Sequence, residues 1–286
     1  MKTRRVKEVS EVYGENVPVW AAVVVVLIIV ATAIVAWAGV RSAARSLFSV
    51  RKAARVSSLF AAVMAAWLAA AFLITLVPRP ETADAATGAV IVLVWNMALT
   101  AVGYGLRFVS ETYREAINGI PQHLLLAFQS YRLVGAIFLP LLALGILPAF
   151  FAVPAGAGDI IAGLAALGAA YLYARSRAGA RGAAVGANLI GMLDFIVALG
   201  AGSGIPAAPL QVVFGAVPAA TTGLLSVFPL GLIPLFVAPL GFTVHLHSLT
   251  RLARQTSPEI AWSTRPVRSV ERAETRRHDP AGGRRP

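Results

Sequence analysis

The chain has 286 residues, of which 58% are hydrophobic and 13% charged, with no cysteine and a formal net charge of +12. A soluble domain carries about 25% charged residues, so a soluble multi-domain protein is excluded, and the missing thiols exclude disulfides, thiolate metal sites and a cysteine nucleophile. The basic residues lie between long apolar runs and in the tail, where they orient spans, and no separate basic domain is present to take a nucleic-acid partner.

Seven apolar runs qualify in chain order as membrane spans: 18–40, 59–77, 88–106, 124–147, 159–174, 183–201 and 222–248. The first is too long for a secretory h-region and lacks a clear cleavage box. It carries Trp20 and Trp37 near its two ends, as interfacial aromatics. The stretch RSAARSLFSVRKAARVS that follows reads either as a helix on an anionic leaflet or as an extension of the spans held by orientation charges. The fifth run is short and rich in Ala and Gly. The seventh is interrupted by Pro229, Pro234 and Pro239, each of which removes a backbone donor.

The expected fold is an all-α polytopic membrane bundle of seven transmembrane helices. Lys and Arg number five, two, three and nine in 41–58, 107–123, 175–182 and the tail from 249, against four, one, none and none in 1–17, 78–87, 148–158 and 202–221. That asymmetry puts the N-terminus outside and the C-terminus in the cytoplasm of a plasma membrane, the prokaryotic inner membrane. The domain division is an extracytoplasmic segment 1–17, a three-span unit 18–122 with a basic cytoplasmic loop, a four-span unit 123–252 with an intramembrane polar cluster, and a disordered cytoplasmic tail 253–286.

Two opposite charges fall halfway through spans. Arg132 lies about nine residues into the fourth and Asp194 about eleven into the sixth, which at 1.5 Å per residue is near the midplane. On an α-helical projection Gln129, Arg132, Gly135 and Ala136 share a face. Asp194 shares one with Ala187, Gly191 and Ala198, with Asn188 at its edge. Small residues mark helix contact faces in lipid, so both charges point inward. A lone charge at the bilayer centre costs ~2.5–3.5 kcal/mol on insertion scales, so the two are expected to pair. Gln129, Asn188 and Asn96 of the third span should fill the remaining donors and acceptors. Tyr131 is expected to point away from the cluster and pack. The functional reading is a pocket for a small polar or anionic molecule, or a proton relay. The alternative is an ion pair that serves only helix register. Neither requires an enzyme.

The string Gly156-Ala157-Gly158-Asp159 resembles the catalytic signature of intramembrane aspartyl proteases. That chemistry needs two carboxylates close enough to share a proton. Asp159, placed at the outer mouth of the fifth span, should differ in depth from Asp194 by ~10 Å on the helical rise. The two acids also come in the opposite chain order, and no Pro-Ala-Leu element follows. Asp159 therefore reads as a helix start, where a negative charge is favoured. His123 and His245, on the fourth and seventh spans, could in principle share a haem, but no motif supports it and no cofactor is expected. The only lysines, Lys2, Lys7 and Lys52, lie outside the spans, which excludes a retinal Schiff base.

From Gln129 to about Leu252 the chain resembles uncharacterised bacterial multi-pass membrane proteins. The matching residues are Gln129-x-x-Arg132-x-x-Gly135, Leu147-Pro148, Phe151-x-x-Pro154-Ala155-Gly156-x-Gly158-Asp159, Asn188, Asp194 and the proline-rich last helix ending in His245. The resemblance implies a four-helix unit and no activity. The expected partners are a bilayer with an anionic cytoplasmic leaflet and a small polar or anionic ligand. Nothing in the sequence sets the oligomeric state.

Overall fold

The computed structural model describes residues 17–76, 85–203, 225 and 227–255. The expectations for 1–16 and for most of the tail and of 202–221 lie outside the described residues. Every described element is helical, and seven helices are long and apolar enough to cross a membrane.

The first three spans are α1 (Val19–Leu47), α2 (Val50–Leu76) and α3 (Ala85–Val109). Only Phe48 and Ser49 separate α1 from α2, so the basic stretch between the first two spans is the joined ends of two long helices. Arg41 stacks there on Trp37 at 4.8 Å. A short amphipathic helix α4 (Glu111–Gly119) follows, with the Ser110 side chain accepting the Tyr113 N–H at 3.2 Å as its N-cap.

The fourth span is three pieces in line: α5 (Gln122–Phe128), a 3-10 segment over Gln129–Ile137, and α6 (Phe138–Ala143). A 3-10 turn holds three residues, so side chains three apart eclipse. Gln129, Arg132, Gly135 and Phe138 therefore stand in one file. Glycines at positive φ, Gly145 and Gly179, close the turns before and after the next helix.

That helix, α7 (Ala149–Ala174), begins ten residues earlier than the fifth apolar run. Pro148 precedes its first residue, and Pro154 is carried inside it. One face of α7 is almost entirely small: Ala152, Ala155, Gly156, Gly163, Ala166 and Ala170 are all buried. Small residues let backbones approach. A Cβ on Gly156 would lie 3.1 Å from Leu139, and one on Gly163 would lie 2.9 Å from Leu133, both on the fourth span. The sixth span, α8 (Ala180–Ser203), packs along α7 and buries Ala184, Ala187, Asn188, Gly191, Asp194 and Phe195. Its opposite side exposes Leu189, Ile190, Leu193 and Ile196, as a lipid-facing surface would.

The last span is the axis of the bundle. It starts as a π-helical segment, Ile233–Val237, and continues as α9 (Ala238–Arg254). Its residues from Leu235 to Gly241 are all buried, and it contacts α3, α5 and α8. The proline-rich sequence explains the irregular start. Pro239 has no N–H for the Leu235 carbonyl, and the Ala238 N–H bonds Ile233 O, five residues back, which frees Pro234 O. Side chains from other helices take both carbonyls. Trp67 Nε1 of α2 and Trp95 Nε1 of α3 donate to Leu235 O at 2.9 and 2.8 Å, and Asn96 Nδ2 donates to Pro234 O at 3.1 Å. This is how neighbouring helices re-satisfy a broken helix where water is absent.

Candidate functional site

Three helical segments bring charge to one point. Arg132, at 1% exposure, donates from Nε to Asp159 Oδ1 at 2.8 Å, from Nη2 to Asp194 Oδ2, and from Nη1 to the Gly191 carbonyl at 2.7 Å. Its Cζ lies 3.9 Å above the Phe195 ring, so the guanidinium face is covered as well. Both carboxylates thus accept from one guanidinium. The backbone closes around them. A Cβ on Gly135 would run into the Asp159 carboxylate, and one on Gly158 would run into Asp194 Oδ1. The two glycines of the Gly-x-Gly-Asp string thus face Leu139 and Asp194.

Asp159 is not a helix start. It lies ten residues inside α7, because that helix begins after Pro148 and runs through the glycines. The inferred depth difference from Asp194 fails for the same reason, since both acids meet one guanidinium. A protease dyad does not follow from this. Arg132 donates to both carboxylates, where aspartyl proteolysis needs them free to hold the attacking water.

The neutral polar residues expected around Arg132 go elsewhere. Asn96 serves the Pro234 carbonyl. Gln129 donates to Gly241 O at 3.0 Å, with its Oε1 buried and unpartnered. Asn188 stands one step away. Its Nδ2 donates to Ala184 O at 2.7 Å and to Ser248 Oγ at 2.8 Å, which leaves its Oδ1 to accept from His245 Nδ1 at 2.9 Å. Gln122 Nε2 reaches the same Ser248 Oγ at 2.6 Å. The Tyr131 hydroxyl donates to Val237 O at 3.4 Å.

Helix α9 runs on past the seventh apolar run to Arg254, and Arg251 donates to the Asn118 and Ile120 carbonyls. His245 is buried, at 1% exposure, with its Nε2 unpartnered. A Cβ on Gly191 would lie 2.5 Å from His245 Nε2 and 3.2 Å from Arg132 Nη1, so both side chains close on the same glycine. A haem shared with His123 does not fit. One edge of the His245 ring is held by Asn188 and the other is walled by Gly191, while His123 is half-buried in the first turn of α5. Among the described residues no group of three His, Asp or Glu side chains is placed to hold a metal ion.

A second polar cluster lies towards the far end of α9. Arg107 is 3% exposed, stacks 5.2 Å from the Tyr104 ring, and donates to His247 Nδ1 at 3.4 Å. The Tyr113 hydroxyl donates to Gly103 O at 2.8 Å and lies 3.2 Å from His247 Nε2. Burial pushes the Tyr113 phenol above its usual range, so it acts here as a neutral group.

A family model described as a domain of unknown function (DUF8737) matches residues 90–253, more than half of the chain. The chain belongs to this family. The matched region holds Asn96, Arg107, Arg132, Asp159, Asp194 and His245, and so contains both polar clusters. It also takes in most of α3, which the sequence resemblance left outside; α3 packs directly on α8 and α9. No curated protein and no solved structure matches the chain.

Proposed function

We propose that the protein is a transporter-like or small-molecule-binding membrane protein of the plasma membrane, with its N-terminus outside, its C-terminus in the cytoplasm, and its working centre at Arg132, Asp159 and Asp194. One observation carries this reading: a guanidinium at 1% exposure bridges two carboxylates from two other helices, α7 and α8. Ionisable groups at such depth are costly and mark substrate or ion pathways. A structural pair would need one acid, and a second acid leaves the cluster with a negative excess. Two acids already face the one guanidinium, so a neutral or cationic occupant suits the site better than the anionic ligand considered from sequence.

The test is Arg132→Gln in the full-length protein. A folded, correctly inserted variant that loses a small molecule co-purifying with the wild type, or loses a flux into vesicles, supports the reading. The rival is a non-catalytic scaffold in which the cluster only sets helix register, favoured by the bonding of all three guanidinium nitrogens within the protein. It wins if Arg132→Gln loses stability alone and Asp194→Asn in the same chain restores it.

A further inference from the structure

Counting charge around Arg132 gives one cation and two carboxylates in a shell of low polarity. With both acids ionised the cluster would carry an uncompensated negative charge, and two carboxylates this close do not both stay ionised without a further counter-charge. Arg132 from the fourth span holds both acids, His245 from α9 lies beside Arg132 across Gly191, and the Tyr131 hydroxyl is given to Val237 O. Arg107 and His247 belong to the other cluster. His245 brings no further counter-charge. The orientation of the Asn188 amide, fixed by its two acceptors, makes His245 Nδ1 the N–H and leaves Nε2 a bare lone pair. That lone pair is buried, has no donor, and is directed at the Gly191 backbone beside Arg132 Nη1.

We infer that the Asp159–Asp194 pair is a proton-binding site, holding one exchangeable proton between its two carboxylates. This rests on the proposed working centre at Arg132. With the proton held, one carboxylate balances Arg132 and the cluster is neutral. Loss of the proton breaks the carboxylic O–H bond and leaves a negative centre, which is the state that a proton or a cationic cargo would refill.

Infrared spectroscopy of the full-length protein in lipid nanodiscs tests this. At neutral pH exposed carboxyl groups are ionised, so the wild type should show a protonated-carboxyl stretch. Asp159→Asn and Asp194→Asn should each abolish it, since one carboxylate then balances Arg132. A wild-type spectrum with no protonated carboxyl at neutral pH overturns the inference, whatever the variants do. So does a band that survives in both Asp variants, or one erased by sodium at constant pH, which would make this a metal-cation site. A band with no flux or ligand in any assay keeps the shared proton and removes the transport reading; flux without the band does the reverse.

Discussion

Trp67 and Trp95, on two different helices, donate their indole N–H groups to the same backbone oxygen, that of Leu235, at 2.9 and 2.8 Å. The carbonyl is available because Pro239, four residues on, has no proton to give it. The two rings thus complete the central helix from outside.

Their substitution should be non-additive. Trp67→Phe or Trp95→Phe alone leaves the carbonyl one donor and should cost about 1 kcal/mol. The double variant leaves it bare and should cost more than the sum of the two, with an unsatisfied buried acceptor contributing about 1–3 kcal/mol. Thermal or denaturant unfolding in detergent, read as a double-mutant cycle, measures this. Strict additivity would mean that the shared carbonyl does not couple them.

Arg132→Met should be far worse than any loss of a neutral hydrogen bond. It strands two buried carboxylates, and removing one partner of a buried ion pair costs about 3–5 kcal/mol. Adding Asp159→Asn and Asp194→Asn should recover part of that loss. Folded yield and unfolding midpoint of the single and triple variants are the readouts, and a triple variant no better than the single would contradict the charge balance described here.

The glycines divide sharply. Gly135→Ala places a methyl group in the Asp159 carboxylate, and overpacking of a tight contact costs about 1–3 kcal/mol. Gly168→Ala on the same α7 meets nothing within 4 Å and should be neutral or stabilising by up to about 1 kcal/mol. Equal effects from the two would mean that α7 does not press on the fourth span through Gly135.

The absence of cysteine makes topology directly measurable. In intact cells Ser49→Cys and Ser176→Cys, both at exposed turns, should resist a membrane-impermeant thiol reagent until the cells are opened, while Ala149→Cys should react at once. The reverse pattern would invert the proposed orientation.

The number of spans was legible because length and apolarity set it. The inward direction of Arg132 and Asp194 was legible because small residues flank each at helical spacing. Asp159 was misplaced because Gly-rich sequence reads as a turn by propensity, yet in a packed bundle the same glycines are where helices touch. The end of the last helix was not legible, because Arg251 finds backbone carbonyls and the helix continues to Arg254. The tightening of Gln129–Ile137 into a 3-10 segment had no visible sequence signal. It is what moves Gln129, Arg132 and Gly135 from a loose stripe into a single file.

Arg132 and its two acids are separated along the chain by 27 and 62 residues, always in the C-terminal direction. During synthesis the cationic segment therefore emerges before either of its counter-charges has been made. It has no stable resting place in lipid until the next two hydrophobic segments arrive. These three helices should consequently enter the bilayer together as a preassembled unit, and a nascent chain stopped before Asp159 should remain at the insertion machinery.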